Sequence, residues 1–504
     1  MAEQTAGLRV RFSKRRDKGV LWGRTGPQLV CLTAAAALLV AAVRAGVWWP
    51  GAIGAALAVM GFARLHGRAL ADALPSAAAD ALLQAAGQAE YRGGPYRPGA
   101  PRPGGPGGWR LPGPLSRLEL SGYEVGEHAG RVGVIFDRSD GTATAVLQVA
   151  GPNFLLEDEA QADVYASGFG QLLDGLARAD SPIVAIQLLS RVRPDVGDDA
   201  WRVLVERGGH GGRFARQINE DLLASLQGRG LVHESYVVVR VAPHRSRSLV
   251  RQFGGGDDGA AALIFHTISR LATDLAGAGV QVIGWVSPRG LSGLVRSAFD
   301  PASDAMLARR GGGRGDISGG DPGLPSGVSA GAAEPIRLQR ARSYVAHNDH
   351  YSRTWWVSEL PRSDGGVPVG FLAPLLLSLP ARHTVSIVLQ PVSPRAAQQV
   401  IDQQTSTKVA QQQMDAKIRR RRRRSDERES ADIDRRESEL VDGFASYRLA
   451  VLVSVTAGSL DELEVTSAQA ESSLNAACME GQVWYTETDQ AFFMAALPLA
   501  RGLR

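Results

Sequence analysis

The chain has 504 residues, with 56 Lys+Arg against 51 Asp+Glu and 44% hydrophobic residues. That length exceeds one hydrophobic core, and a net charge of +5 is too small for a global basic field, so any polyanion contact must come from a local cluster. The only cysteines, Cys31 and Cys478, lie far apart with one inside an apolar run, which excludes a disulfide framework and a cysteine zinc site and suits a reducing cytoplasm.

Residues 1–26 form a basic arm, with Arg9, Arg11, Lys14, Arg15, Arg16, Lys18 and Arg24 against Glu3 and Asp17. Two uncharged apolar runs follow, Pro27–Val43 and Val47–Ala63, separated by Arg44-Ala45-Gly46. As helices they span roughly 26 Å each, slightly short of the ~30 Å hydrocarbon core. They predict a transmembrane helical hairpin over 27–63. Arg64, His66 and Arg68 follow the second run, so the positive-inside rule places both ends in the cytoplasm and the tip outside, with Trp48 and Trp49 at the interface. Small residues, including Ala34–Ala37, Gly51, Ala55 and Ala58, let two helix backbones approach closely. A signal peptide does not fit, because no small-x-small cleavage site with a polar continuation appears. A buried hairpin of a soluble protein is the alternative.

Residues 64–114 read as a juxtamembrane helix, Ala69–Gln88, and a Pro/Gly linker, Tyr91–Pro114. Residues 115–309 read as a first α+β subdomain. Val132–Phe136 and Thr142–Val149 flank Asp-Arg-Ser-Asp-Gly, a hairpin signal. Strands at Ile183–Leu189, His233–Val241 and Val280–Val286 alternate with helices at Glu159–Arg178, His210–Gln227 and Asp257–Ala276. Residues 310–335 are Gly-rich and predict a disordered linker, in which Arg314-Gly315-Asp316 is an unremarkable triplet. Residues 336–504 read as a second α+β subdomain with a long charged helix from Pro394 to about Gly443 and its strongest strand at Tyr447–Val455. The β–α–β–α–β order predicts layered, ferredoxin-like sandwiches, so the fold class is α+β.

None of the four lysines follows a glycine, so the chain has no Walker A site. Gly254–Gly256 and Gly311–Gly313 read as flexible loops. His347-Asn348-Asp349-His350 is the one close histidine pair, with a turn explaining its centre as well as a metal would. The Gly327–Gly331 GxSxG lacks the strand and helix that a nucleophile elbow requires. No catalytic, cofactor or metal residues emerge, and no enzyme activity is expected. Arg419, Arg420, Arg421, Arg422, Arg423 and Arg424 form a continuous run. It fits nucleic acid phosphates, anionic lipid, or a solvated charged helix paired with the acids that follow.

The layout resembles a known family. The RVRFSKR arm precedes the hairpin. Ser343-Tyr344, Thr354–Arg362 (TWWVSELPR), HTVSIVLQPVSPRAAQQ, YRLAVLVSV and the closing QAFFMAALPLARGL are its landmarks, and Phe299-Asp300-Pro301 also fits. These are similar to the PrgI-like membrane proteins of actinobacterial conjugation and type IV secretion-like clusters, with a body like the N-terminal domain of the TraC/VirB-type traffic ATPase. The resemblance implies a non-catalytic, oligomeric membrane component that serves as platform for a separate P-loop ATPase and other channel subunits, without cofactors. Two alternatives stand beside it. One is a type VII secretion membrane component of the EccE kind, which also has two N-terminal helices and a cytoplasmic body. The other is a membrane-tethered nucleic-acid binder using Arg419–Arg424.

Overall fold

The computed structural model describes residues 9–10, 26–65, 68–69, 71, 90–93, 109–111, 115–125, 129–151, 159–177, 181–195, 212–226, 230–309, 327–361, 367–417 and 424–502. The N-terminal part comprises β1 (Arg9–Val10), α1 (Gly26–Ala45), α2 (Trp48–Phe62), β2 (Arg64–Leu65), β3 (Arg68–Ala69), β4 (Glu90–Arg92) and β5 (Trp109–Arg110). Next come β6 (Leu118–Val125), β7 (Ala129–Asp137), β8 (Thr142–Ala150), α3 (Glu159–Leu176), β9 (Ile183–Pro194), α4 (Arg213–Leu226), β10 (Leu231–Val241), α5 (Arg247–Gln252), α6 (Gly256–Gly277), β11 (Gln281–Trp285), α7 (Pro288–Phe299) and α8 (Asp304–Arg309). The last part holds β12 (Arg337–Arg340), β13 (Val345–His347), β14 (His350–Glu359), β15 (Val367–Pro368), α9 (Ala373–Leu377), β16 (His383–Val392), α10 (Pro394–Lys417), α11 (Arg424–Val441), β17 (Ser446–Ala457), α12 (Leu460–Ala476), β18 (Glu480–Val483) and α13 (Thr488–Ala496).

The fold is α+β, but the two expected sandwiches share a single sheet. Its strands run β4-β12-β13-β14-β17-β16-β9-β10-β8-β7-β6-β5, with β11 added to β8 and β18 to β14. The join is the antiparallel pair β9–β16, in register from Val192↔His383 through Leu188↔Ile387 to Ile186↔Leu389. The halves also repeat one plan. Strand β8 pairs with β7, β10 and β11, as β14 pairs with β13, β17 and β18, and β9–β10 corresponds to β16–β17. Helices α6 and α7 flank β11 as α12 and α13 flank β18. Equivalent strands meeting antiparallel at the centre are related by a pseudo-two-fold axis, the geometry of an isologous dimer interface within one chain.

The core explains why the halves join. On one face, α7 and α13 bury Leu291, Leu294, Phe299, Phe492 and Phe493 against strands of both halves, among them Leu120, Val146, Leu189, Val388 and Ala450. Phe299 lies 5.8 Å from the rings of both Phe492 and Phe493. On the opposite face the core divides. Leu263, Ile264, Ile268 and Leu271 of α6 cover the first half, and Leu463, Ala470 and Leu474 of α12 cover Trp355, Val453 and Val455 of the second. Central strands covered on both sides need continuous apolar sequence, which β17 supplies from Ala450 to Val453.

Local signals close the elements. Asp137 Oδ1 accepts from the Ser139 amide and hydroxyl, and Gly141 has φ +60°, which together form the predicted β7–β8 turn. Ser287 caps α7 with Pro288 at its first position, and Ser459 caps α12 through the Glu462 amide.

Three sequence expectations change. The Pro/Gly linker is structured at both ends: β4 pairs with β12 and β5 with β6, at the opposite edges of the sheet. Residues 327–335 of the Gly-rich linker pack on the body, with Val328, Ala330 and Ala333 buried, while 310–326 lie outside the described residues. Gly254–Gly256 is not an isolated loop: it leads into α6 after β10 and α5.

Candidate functional site

Helix α1 contains one segment, Pro27–Ala45, of 19 residues and mean hydropathy 1.9, long and apolar enough to cross a membrane. Helix α2 is a shorter apolar helix of 15 residues. The two pack side by side around a turn at Gly46, whose φ is +66°. A Cβ at Gly54 would stand 3.0 Å from the Ala35 carbonyl, and one at Gly61 would stand 2.9 Å from Leu32 Cδ2, so both glycines permit close backbone approach. Gln28 is buried in this contact and donates to the Gly61 carbonyl at 3.1 Å. The outer surface is apolar: Val30, Val40, Trp48, Trp49, Val59 and Phe62 are exposed. Of the anchor positions, Pro27 and Val43 are exposed on α1, Val47 precedes α2, and the Ala63 amide closes α2 on the Val59 carbonyl at 2.8 Å. The basic arm reaches the body, where β1 pairs antiparallel with β15 through Arg9↔Pro368 and Val10↔Val367.

Arg419–Arg423 lie outside the described residues, and Arg424 begins α11. Helices α10 and α11 pack on each other between β16 and β17, with Ile401 and Ile433 buried. The described parts of the expected long charged helix are therefore two packed helices, α10 and α11.

The seam between the halves carries a buried polar network. Gln187 of β9 and Ser386 of β16 are fully buried. Gln187 Nε2 donates to Ser386 Oγ at 2.8 Å and to the Leu497 carbonyl at 3.2 Å, and its Oε1 accepts from the Ala500 amide at 2.7 Å. Beside it, Arg382 engages Asp304 and the Ser297 hydroxyl and carbonyl, while Arg191 donates to the same hydroxyl at 2.8 Å. Burial holds the Arg382 guanidinium below its ordinary range despite the Asp304 carboxylate. These bonds hold a sheet seam together and show no reactive arrangement.

The histidine pair is structural. Asn348 has φ +49°, and its Oδ1 accepts from the Ile336 and Arg337 amides. His347 is buried, with Nδ1 2.8 Å from the Phe299 carbonyl and Nε2 2.7 Å from Ser352 Oγ. A carbonyl only accepts, so Nδ1 carries the proton and Nε2 accepts from Ser352. Burial pushes the His347 imidazole from 6.5 down to about 3. A depressed imidazole pKa means that the unfolded chain takes up more protons, so its stability contribution is complete above pH 6.5 and falls as the pH drops below that value. Denaturation of the full chain at pH 5.5 is expected to show about 1.4 kcal/mol less stability from this group than at pH 7.5. Burial lowers His350 and His383 in the same direction.

Among the described residues, no group of three or more His, Cys, Asp or Glu is arranged to hold a metal ion. The Gly327–Gly331 segment has no strand before it among those residues, and Ser329 precedes a short 3-10 turn packed on α7. One cavity, of about 730 Å³, opens between the β7–β8 turn, α5 and the start of α6. Sequence reading missed it, although His244, Arg245, Arg247 and Arg251 ahead of Gly254–Gly256 mark its position. Compared with models of known protein families and with curated proteins, the chain matches none.

Proposed function

We propose that this chain is an integral membrane, non-catalytic component of a conjugative, type IV secretion-like apparatus. In this reading α1 and α2 both cross the cytoplasmic membrane, the arm and body face the cytoplasm, and the body is a platform for a separate P-loop ATPase. The observation that carries the anchoring is the β1–β15 pair. An arm seated on the body lies on the body's side of any bilayer, so the chain between them crosses an even number of times. Zero crossings would leave the apolar outer surface of α1 and α2 in water, where patches of that size are rare on soluble proteins. Two crossings bury it in lipid. The short α2 is accommodated by local thinning and by flanking Trp48 and Trp49. Anchoring would make ATPase docking a high-effective-concentration event at the membrane.

A type VII secretion component of the EccE kind is the second reading. It is favoured by the layout, two N-terminal apolar helices ahead of a body whose first half carries only Phe299-Asp300-Pro301 of the ATPase-domain landmarks. Whole-chain layout then weighs as much as those landmarks. Detergent purification of the tagged full chain from its native host tests both. Retention of a P-loop ATPase is expected. Small secreted substrates in place of conjugative subunits would select type VII, and the absence of any ATPase would end the platform reading. Replacing Arg419–Arg424 with glutamine separates the nucleic-acid reading: unchanged DNA retention with lost ATPase would sink it.

A further inference from the structure

The two halves differ where strand meets helix. In the second half, β17 passes to α12 through Gly458 and Ser459 alone. In the first half, residues 242–255 stand at the equivalent place, between β10 and α6, and fold into a 3-10 turn, Pro243–Ser246, and α5. The fold does not need this insertion, because its own repeat makes the same join without one. What the insertion adds is the cavity of about 730 Å³, within the ~300–1,000 Å³ range of ligand pockets.

The charges of the cavity are unevenly spent. Its two carboxylates are engaged: Asp257 by both terminal nitrogens of Arg138 at 3.0 and 2.8 Å, and Asp137 by Arg501 and, at 3.9 Å, Arg240. Arg138 is consumed in that pair. Arg247 and Arg251 are exposed, one helical turn apart on α5, and neither has an ion-pair partner among the described residues. Among the described residues, Arg251 donates through Nε to the Arg247 carbonyl, at 3.4 Å, and its terminal nitrogens make no further bond. The lining also has an apolar part, Phe136, Val250 and Ala260. The cavity thus offers two free guanidinium groups and an apolar surface.

The geometry points to an acidic peptide segment of a partner chain as the occupant, with two carboxylates on Arg247 and Arg251 and an apolar side chain against Phe136, Val250 and Ala260. Guanidinium forks bind carboxylates with charge-assisted, paired hydrogen bonds. A lone phosphate fits less well, since it would use the two guanidinium groups and leave the apolar lining of Phe136, Val250 and Ala260 without a partner. A nucleobase finds little to stack on, since the Phe136 ring is covered by Arg138 at 5.5 Å from its centroid, which leaves the His244 imidazole alone. This proposal stands apart from the anchoring and secretion readings and survives their failure.

The test uses the full chain in detergent and a fluorescein-labelled octapeptide of alternating Glu and Leu, read by fluorescence anisotropy. Binding is expected, weakening about ten-fold or more in Arg247→Gln/Arg251→Gln and weakening with added salt. The Arg245→Gln chain, altered just outside the cavity lining, is expected to bind as the unaltered chain does. Equal melting midpoints of all three chains show that a loss is not unfolding. Three outcomes would overturn the proposal: no binding at millimolar protein, equal binding of a Gln–Leu octapeptide, or no loss in the double variant. Inorganic phosphate or anionic lipid vesicles competing better than the unlabelled peptide would assign the cavity to those ligands instead.

Discussion

Trp355→Ala is expected to destabilise the body by about 3–5 kcal/mol, and to do so in one transition that includes the first half of the sheet. Trp355 is fully buried on β14, where its ring packs in the α12-covered core and its Nε1 donates to Glu471 at 3.3 Å. Truncation leaves a large cavity under α12. The effect spreads because β9 and β16 share a ladder and because the α7–α13 core draws on both halves. Hydrogen exchange reads this directly: amides of β10, in the other half, should lose protection in step with those of β17. Separate folding units would confine the loss to β14, β17 and α12.

Gln187→Leu is expected to cost about 1–3 kcal/mol, since the buried Ala500 amide loses its partner. The leucine approximates the shape of the amide but cannot bond, leaving the Ala500 amide facing an apolar group, while the Leu497 carbonyl keeps the Leu499 amide. The seam is where both halves and the C-terminal turn converge, and Ala500 holds φ +46° there, a conformation that needs its surroundings to enforce it. Denaturant titration of Gln187→Leu, Ser386→Ala and the double variant measures the coupling. A strictly additive cycle would contradict a shared network.

Much of the fold class was legible in the sequence. The β-branched runs at Thr142–Val149 and His233–Val241 and the Asp-Gly turn at 140–141 stand where they were expected, because local propensity and burial agree there. What sequence could not supply was the pairing between distant strands. The β9–β16 ladder links residues about two hundred positions apart, and hydrophobic periodicity carries no information on partners. The repeat was hidden for the same reason: Phe299 and Phe492 occupy corresponding helices and one core, yet their flanking sequences differ, since a core constrains volume and polarity more than identity. The cavity was missed because Gly254–Gly256 was weighed without its strand. The apolar helix Pro27–Ala45 was legible because its length, hydropathy and scarcity of charge are visible in a single sequence.

The central claim is a two-crossing anchor with arm and body on one side. Single cysteines placed at Thr5, Val47 and Tyr344, in a chain carrying Cys31→Ser and Cys478→Ala, test it with a membrane-impermeant maleimide on right-side-out vesicles. The account predicts that Val47→Cys is labelled from outside while Thr5→Cys and Tyr344→Cys label only after permeabilisation. Labelling of Thr5→Cys and Tyr344→Cys from opposite sides, or release of the chain from the vesicles by alkaline carbonate, would contradict it.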